Sequence, residues 1–170
     1  MFVVRATKKL RDRVGPATLR PAEVSTTRLG DWYATAWFWK PQIALFVSEA
    51  TLFPVLMPLA PAATLLNRFP DQLAQALVAQ KVPQAFIADE LAQMSEARLA
   101  PTASRSVLGI MNEFTFLAES ARSDPVDFDP TDLTALAGWL AGTPCSPLFQ
   151  RQISPDRELQ ALVQQARQRP

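Results

Sequence analysis

Two short segments hold the residue types best suited to chemistry. Thr7-Lys8-Lys9 and Ser104-Arg105-Ser106 each set cations beside a hydroxyl where the pattern predicts a helix to begin. Helix N-termini already carry partial positive charge, so a Lys or Arg there costs about 0.3–1 kcal/mol. The cost reverses if an anion occupies the exposed amides, and cationic donors beside hydroxyls suit phosphate or carboxylate. Asn112 lies about two turns into the second of these helices and is assigned to a different face from Arg105. Gly109, three residues before Asn112, shares its face. A glycine inside a helix costs about 1 kcal/mol relative to alanine. Close approach of a ligand or of another backbone would explain it; so would plain packing of helix on sheet. Thr7, Lys8, Lys9, Arg105, Ser106 and Asn112 are therefore the candidate ligand-binding residues, and Glu113 is the nearest carboxylate for a base or a magnesium ligand. A bland alternative stands beside this reading, because cations near helix starts are common on ordinary surfaces. In a purely structural role Arg105 would be buried against Asp31 or Glu49, and Asn112 would satisfy backbone groups of the sheet.

Much other chemistry is excluded by composition. The 170 residues contain no histidine. Ser-His-Asp and Cys-His machinery cannot be built, and zinc sites of the Cys/His type lack ligands. Cys145, the single cysteine, has no histidine to activate it and no partner for an intramolecular disulfide. Asp124, Asp127, Asp129 and Asp132 come nearest to a metal spacing but lack the glycine and closing glutamate of a calcium loop. No metal and no cofactor is expected, and no catalytic residue is assigned. The net charge of +1 offers no global field for nucleic acid or membrane, so any anionic partner must be read by a local patch.

These residues need elements to position them. Phe2 to Ala6 reads as a strand, Thr7 can cap a helix over Lys8 to Val14, and Ala17 to Arg28 is loop-like. Trp32 to Trp39 and Gln42 to Ser48 form a β-hairpin around Lys40-Pro41. Three of the four tryptophans lie there and read as an aromatic core patch in preference to a ligand cage. Thr51 to Leu59 is a third strand, which Pro54 and Pro58 place at an edge or a bulge. Helices follow: Pro70 opens one running to about Gln80, and Pro83 one running to about Met94. Arg98 to Pro101 is a connector or short strand. Ser106 to Ala121 is the clearest helix, with Val107, Ile110, Met111, Phe114, Leu117 and Ala118 as its apolar stripe. Asp129 caps a helix that starts at Pro130 and has Gly142 after its end, and Ser154-Pro155 starts the last, striped by Leu159, Leu162, Val163 and Ala166.

Strands grouped before helices imply an α+β fold. The expectation is a mostly antiparallel sheet of about four strands against four to six helices, with a helix-rich C-terminal half. The domain core is set at 1–142, with 143–170 a linker and terminal helix appended to it. Ile43 to Leu66 is apolar, but its charge and prolines suit broken core strands better than a membrane span. With no signal peptide, the expected location is cytoplasmic.

Four segments resemble an uncharacterised bacterial family, a domain of unknown function of about this length: Arg5-Ala6-Thr7-Lys8-Lys9-Leu10, Leu29 to Ala34, Phe46 to Pro58 and, above all, Ser104 to Glu113 with its Arg-Ser-Val-Leu-Gly-Ile-Met-Asn box. The resemblance covers about Met1 to Glu119. It implies that Thr7, Lys8, Lys9, Arg105, Ser106, Gly109 and Asn112 belong to a shared signature, and it brings no established activity. The family often has asparagine where Ser104 stands, and it usually ends soon after this helix, whereas this chain adds about fifty residues. The expected function is binding of a phosphate-bearing ligand, a nucleotide or nucleic acid, where the first strand meets the 105–121 helix. The alternative is a non-enzymatic interaction or regulatory module of a mobile-element or defence locus, contacting a protein partner through the aromatic hairpin 32–48 or the C-terminal helix.

Overall fold

The computed structural model describes residues 1–168. Strand β1 (Phe2–Ala6) leads into helix α1 (Lys8–Val14), and a long loop brings the chain to β2 (Trp32–Trp37), β3 (Ile43–Ser48) and β4 (Pro54–Pro58). Helices α2 (Leu65–Ala79) and α3 (Gln84–Ala92) precede β5 (Ala97–Pro101). Helices α4 (Arg105–Ser123), α5 (Leu133–Ala141) and α6 (Pro155–Gln168) follow.

The strands form one sheet in the order β4-β3-β2-β1-β5. The hairpin β2–β3 and the β3–β4 pair are antiparallel. β1 is parallel to β2 on one side and to β5 on the other. The general α+β class holds, but the expectation of a mostly antiparallel sheet of about four strands is corrected: the sheet is mixed and has five strands. Its fifth member, Ala-Arg-Leu-Ala-Pro, has little strand pattern of its own. It is extended because β1 pairs with it throughout, from Phe2 opposite Ala97 to Ala6 opposite Pro101. No local periodicity reports a partner so distant in sequence.

Helices cover both faces of the sheet. On the first face Phe2, Val4, Trp32 and Phe46 meet Phe69 of α2 and Leu159 and Val163 of α6. On the second, Tyr33, Trp37 and Leu45 meet Val107, Ile110 and Phe114 of α4 and Leu136 and Leu140 of α5. Every residue of β2 and β3 is therefore buried, and their apolar runs do not alternate, as expected for strands covered on both sides. Phe69 is the hub of the first face: its ring stacks on Phe46 at 4.1 Å and meets Trp32 edge-on at 5.0 Å. β4 lies at the sheet edge, where Pro54 and Pro58 are tolerated. Among the described residues no helix is long and apolar enough to cross a membrane; the apolar stretch from Ile43 to Leu66 forms β3, β4 and the start of α2.

Two helix starts differ from the sequence expectation. α2 begins at Leu65 and carries Pro70 inside it. Only the amide that would reach the Leu66 carbonyl is lost there, and burial of Leu65, Phe69, Leu73 and Leu77 along one stripe offsets that loss. α5 is capped by Asp132, not Asp129. The Asp132 carboxylate accepts from the amides of Thr134 and Ala135 at 3.0 and 3.1 Å, whereas Asp129 accepts from the amide and hydroxyl of Thr131 in the preceding turn.

Candidate functional site

β1 and β5 end side by side, and each feeds one of the two basic helices. α1 turns towards the first face, where Leu10 is buried, while α4 covers the second. In parallel sheets, the carboxyl ends of adjacent strands whose helices leave on opposite faces are the usual ligand position.

β2 ties both helix starts together. The Thr7 and Thr35 hydroxyls are hydrogen-bonded at 2.9 Å. The Ser104 amide donates to the Tyr33 hydroxyl at 3.1 Å. Tyr33 and Thr35 are two residues apart on the same strand, so they point to the same face about 6.6 Å apart. The Thr7 side chain consequently makes no cap on α1, contrary to expectation. Its hydroxyl is drawn to Thr35, a buried polar group that would otherwise lack a partner. Ser104 does cap its helix, accepting from the Val107 amide at 3.3 Å.

The six candidates do not gather in one place, and the three cations Lys8, Lys9 and Arg105 have different surroundings. Thr7, Arg105 and Ser106 lie around this tethered junction; Arg105 and Ser106 are exposed in the first turn of α4. Lys8 is exposed and paired with Asp12 at 2.8 Å. Lys9 approaches the ring of Phe38 at 5.7 Å, with Arg13 at 5.4 Å from the same ring, at the hairpin tip. Asn112 is exposed on the outward face of α4. Its assignment to a different face from Arg105 is corrected: seven residues at about 100° each fall about 20° short of two turns, so the two share a face. The expected burial of Arg105 against Asp31 or Glu49, and of Asn112 against the sheet backbone, is corrected as well. Asp31 is engaged by Arg5, whose Nε donates to it at 2.6 Å, and by the Ser25 hydroxyl at 2.6 Å, while Arg105 and Asn112 face solvent.

Arg5 is the residue that sequence reading passed over. It stands beside Tyr33 in the β1–β2 register, and its terminal guanidinium nitrogens make no hydrogen bond among the described residues. A lone arginine in the run Phe-Val-Val-Arg-Ala was the available signal. Burial pushes the Tyr33 hydroxyl pKa up, reinforced by the negative charge of Glu49, while Arg5 pulls it down. The hydroxyl thus remains protonated and can both accept from Ser104 and donate. Glu113 is exposed, and Cys145 is buried with its thiol pKa pushed up to about 12, first by burial and then by the charge of Glu113. Such a thiol is not a nucleophile near neutrality.

Several solvent-open hollows lie elsewhere. One of about 350 Å³ is bordered by Gln80, Asp156, Arg157 and Gln160. Another, of about 250 Å³, lies under the hairpin tip between Trp39, Lys40 and Arg122. Neither is lined by any of the six candidates. The hairpin proposed as a partner surface is mostly interior: only its tip is open, with Phe38 exposed and Trp39 held between Trp37 at 4.6 Å and Arg122 at 4.1 Å. The C-terminal helix turns Leu159 and Val163 into the core.

No curated protein and no solved structure matches this chain. One family model does, over residues 3–158. That match runs past Glu119, where the resemblance seen in the sequence stopped, through α5 to the first turn of α6. The chain belongs to the family described as Domain of unknown function (DUF6933).

Proposed function

We propose that the protein binds a phosphate-bearing ligand, a nucleotide or nucleic acid, at the junction of the α1 and α4 starts above Tyr33 and Thr35. The observation that carries the reading is the double tether: Thr7 held by Thr35 and Ser104 held by Tyr33 set two helix starts against neighbouring positions of one strand. Arg105 supplies a guanidinium at the mouth, and Arg5 supplies a second, fixed by Asp31 and still carrying free donors. Thr7 and Ser106 orient the anion through their hydroxyls. Lys8 and Lys9, further out, contribute to the local field more than to direct contact, and Asn112 lies beyond the junction.

The test is a titration of nucleoside triphosphates and of short RNA and DNA against the wild type and Arg105→Ala at low salt. Loss of a charge-assisted contact of about 1.5–3 kcal/mol predicts a drop in affinity of roughly tenfold to a hundredfold. Binding indistinguishable from background in the wild type removes the reading.

A further inference from the structure

The outward face of α4 carries a pattern that the fold does not use. Val107, Ile110, Met111, Phe114, Ala118 and Ala121 face the sheet. Diametrically opposite run Arg105, Gly109, Asn112, Phe116 and Glu119, all exposed, at alternating spacings of four and three residues. That is the seam spacing by which one helix packs on another. Phe116 is 68% exposed. A Cβ placed on Gly109 would meet nothing within 4 Å, so packing against the sheet does not explain this glycine. It weakens the helix with no compensation inside the chain. Among the described residues neither Arg105 nor Glu119 has an ion-pair partner.

We infer that this face pairs with the same face of a second copy of the chain, the two α4 helices running antiparallel about a two-fold axis near Asn112. The sequence of the stripe is self-complementary in that arrangement and in no parallel one. Reversal about Asn112 sets Arg105 of each copy against Glu119 of the other. It brings the two Asn112 amides together, a polar pair of the kind that fixes helix register. It also lays the ring of each Phe116 over the open backbone at the other copy's Gly109. The positive start of each α4, with Arg105, meets the acidic half with Glu113 and Glu119, so charge favours antiparallel over parallel pairing. An isologous contact of this kind closes as a dimer. The inference goes beyond the anion site; of the residues at that junction only Arg105 takes part.

Sedimentation of the full chain from low micromolar to near-millimolar concentration tests it. A concentration-dependent dimer is expected. Phe116→Ala, at an exposed position, weakens it by at least about tenfold while the monomer melts as before. Arg105→Glu and Glu119→Arg each weaken it, and the double exchange restores it. Gly109→Ala separates a structural from an interfacial role: the melting temperature of the monomer rises because alanine favours helix, while association falls because the methyl fills the recess for Phe116. A chain that stays monomeric throughout overturns the proposal and leaves the face to a different protein. So does a dimer that survives Phe116→Ala and both single charge reversals, or one that Gly109→Ala leaves unchanged.

Discussion

Glu90 is almost fully enclosed near the end of α3, and both its carboxylate oxygens accept from the loop before β2, from the amides of Arg28 and Leu29 at 2.8 and 3.0 Å. Burial raises its pKa above the ordinary glutamate value, and the two amide donors only partly counter that. A carboxyl with a raised native pKa contributes its titration-linked stability in full below the unfolded value and loses it as pH rises through the native one. Glu90→Gln removes the titration and leaves one amide facing an NH2 group, at a cost of about 1–3 kcal/mol. The stability of the wild type over this variant should therefore shrink as pH climbs from the acid side of the glutamate range towards neutrality. Denaturant titrations of both proteins across that range check it, and a difference that is flat or grows with pH rules the account out. In the sequence Glu90 is simply a residue of the helix expected from Pro83 to about Met94. Its role appears only when the loop from Arg28 is folded over it.

At the scale of elements, Thr7 and Ser104 look alike in sequence, each a hydroxyl before a basic helix start, and the structure assigns them different work. Ser104 accepts from its own helix, and Thr7 bonds across to Thr35. Ser104→Ala should thus cost about 1 kcal/mol, the usual worth of an N-cap. Thr7→Ser, which keeps the hydroxyl, should cost little, while Thr7→Val should leave the buried Thr35 hydroxyl without its partner and cost about 1–3 kcal/mol. Chemical denaturation of the three variants reads this directly; equal costs for Thr7→Ser and Thr7→Val would show that the hydroxyl bond is unimportant. Element identity was legible wherever a period or a punctuating residue stood alone. α1, the β2–β3 hairpin and α4 follow their patterns closely. Pro70 misled because a proline tolerated within the early turns of a helix reads the same as one that opens it. Asp129 misled because two carboxylates three residues apart both suit a cap, and only the turn geometry decides between them.

For the whole molecule, the last sixth of the chain, after Gly142, is the point of test. α6 delivers Leu159 and Val163 to the first-face core, and Cys145 and Leu148 fill the second. Ending the chain after Gly142 would uncover both faces, so the truncated protein should lose near-ultraviolet dichroism and cooperative melting. A truncated chain that melts sharply near the full-length temperature would instead support an autonomous 1–142 core with an appendage. Apolar burial is worth about 25 cal/mol per Å², and a domain's net stability is only about 5–15 kcal/mol.

Composition and local pattern were enough to exclude histidine chemistry, to place most elements, and to single out Thr7, Arg105 and Ser106 as neighbours of two helix starts. Those conclusions rest on residue type and short spacing, which the sequence displays directly. Tertiary structure alone decided that β5 joins the sheet beside β1, that helices cover both faces, that Arg5 stands next to Tyr33, and that Lys9 turns away to Phe38. Each of these depends on contacts between residues far apart in the chain, and such pairings leave no periodic trace in either partner.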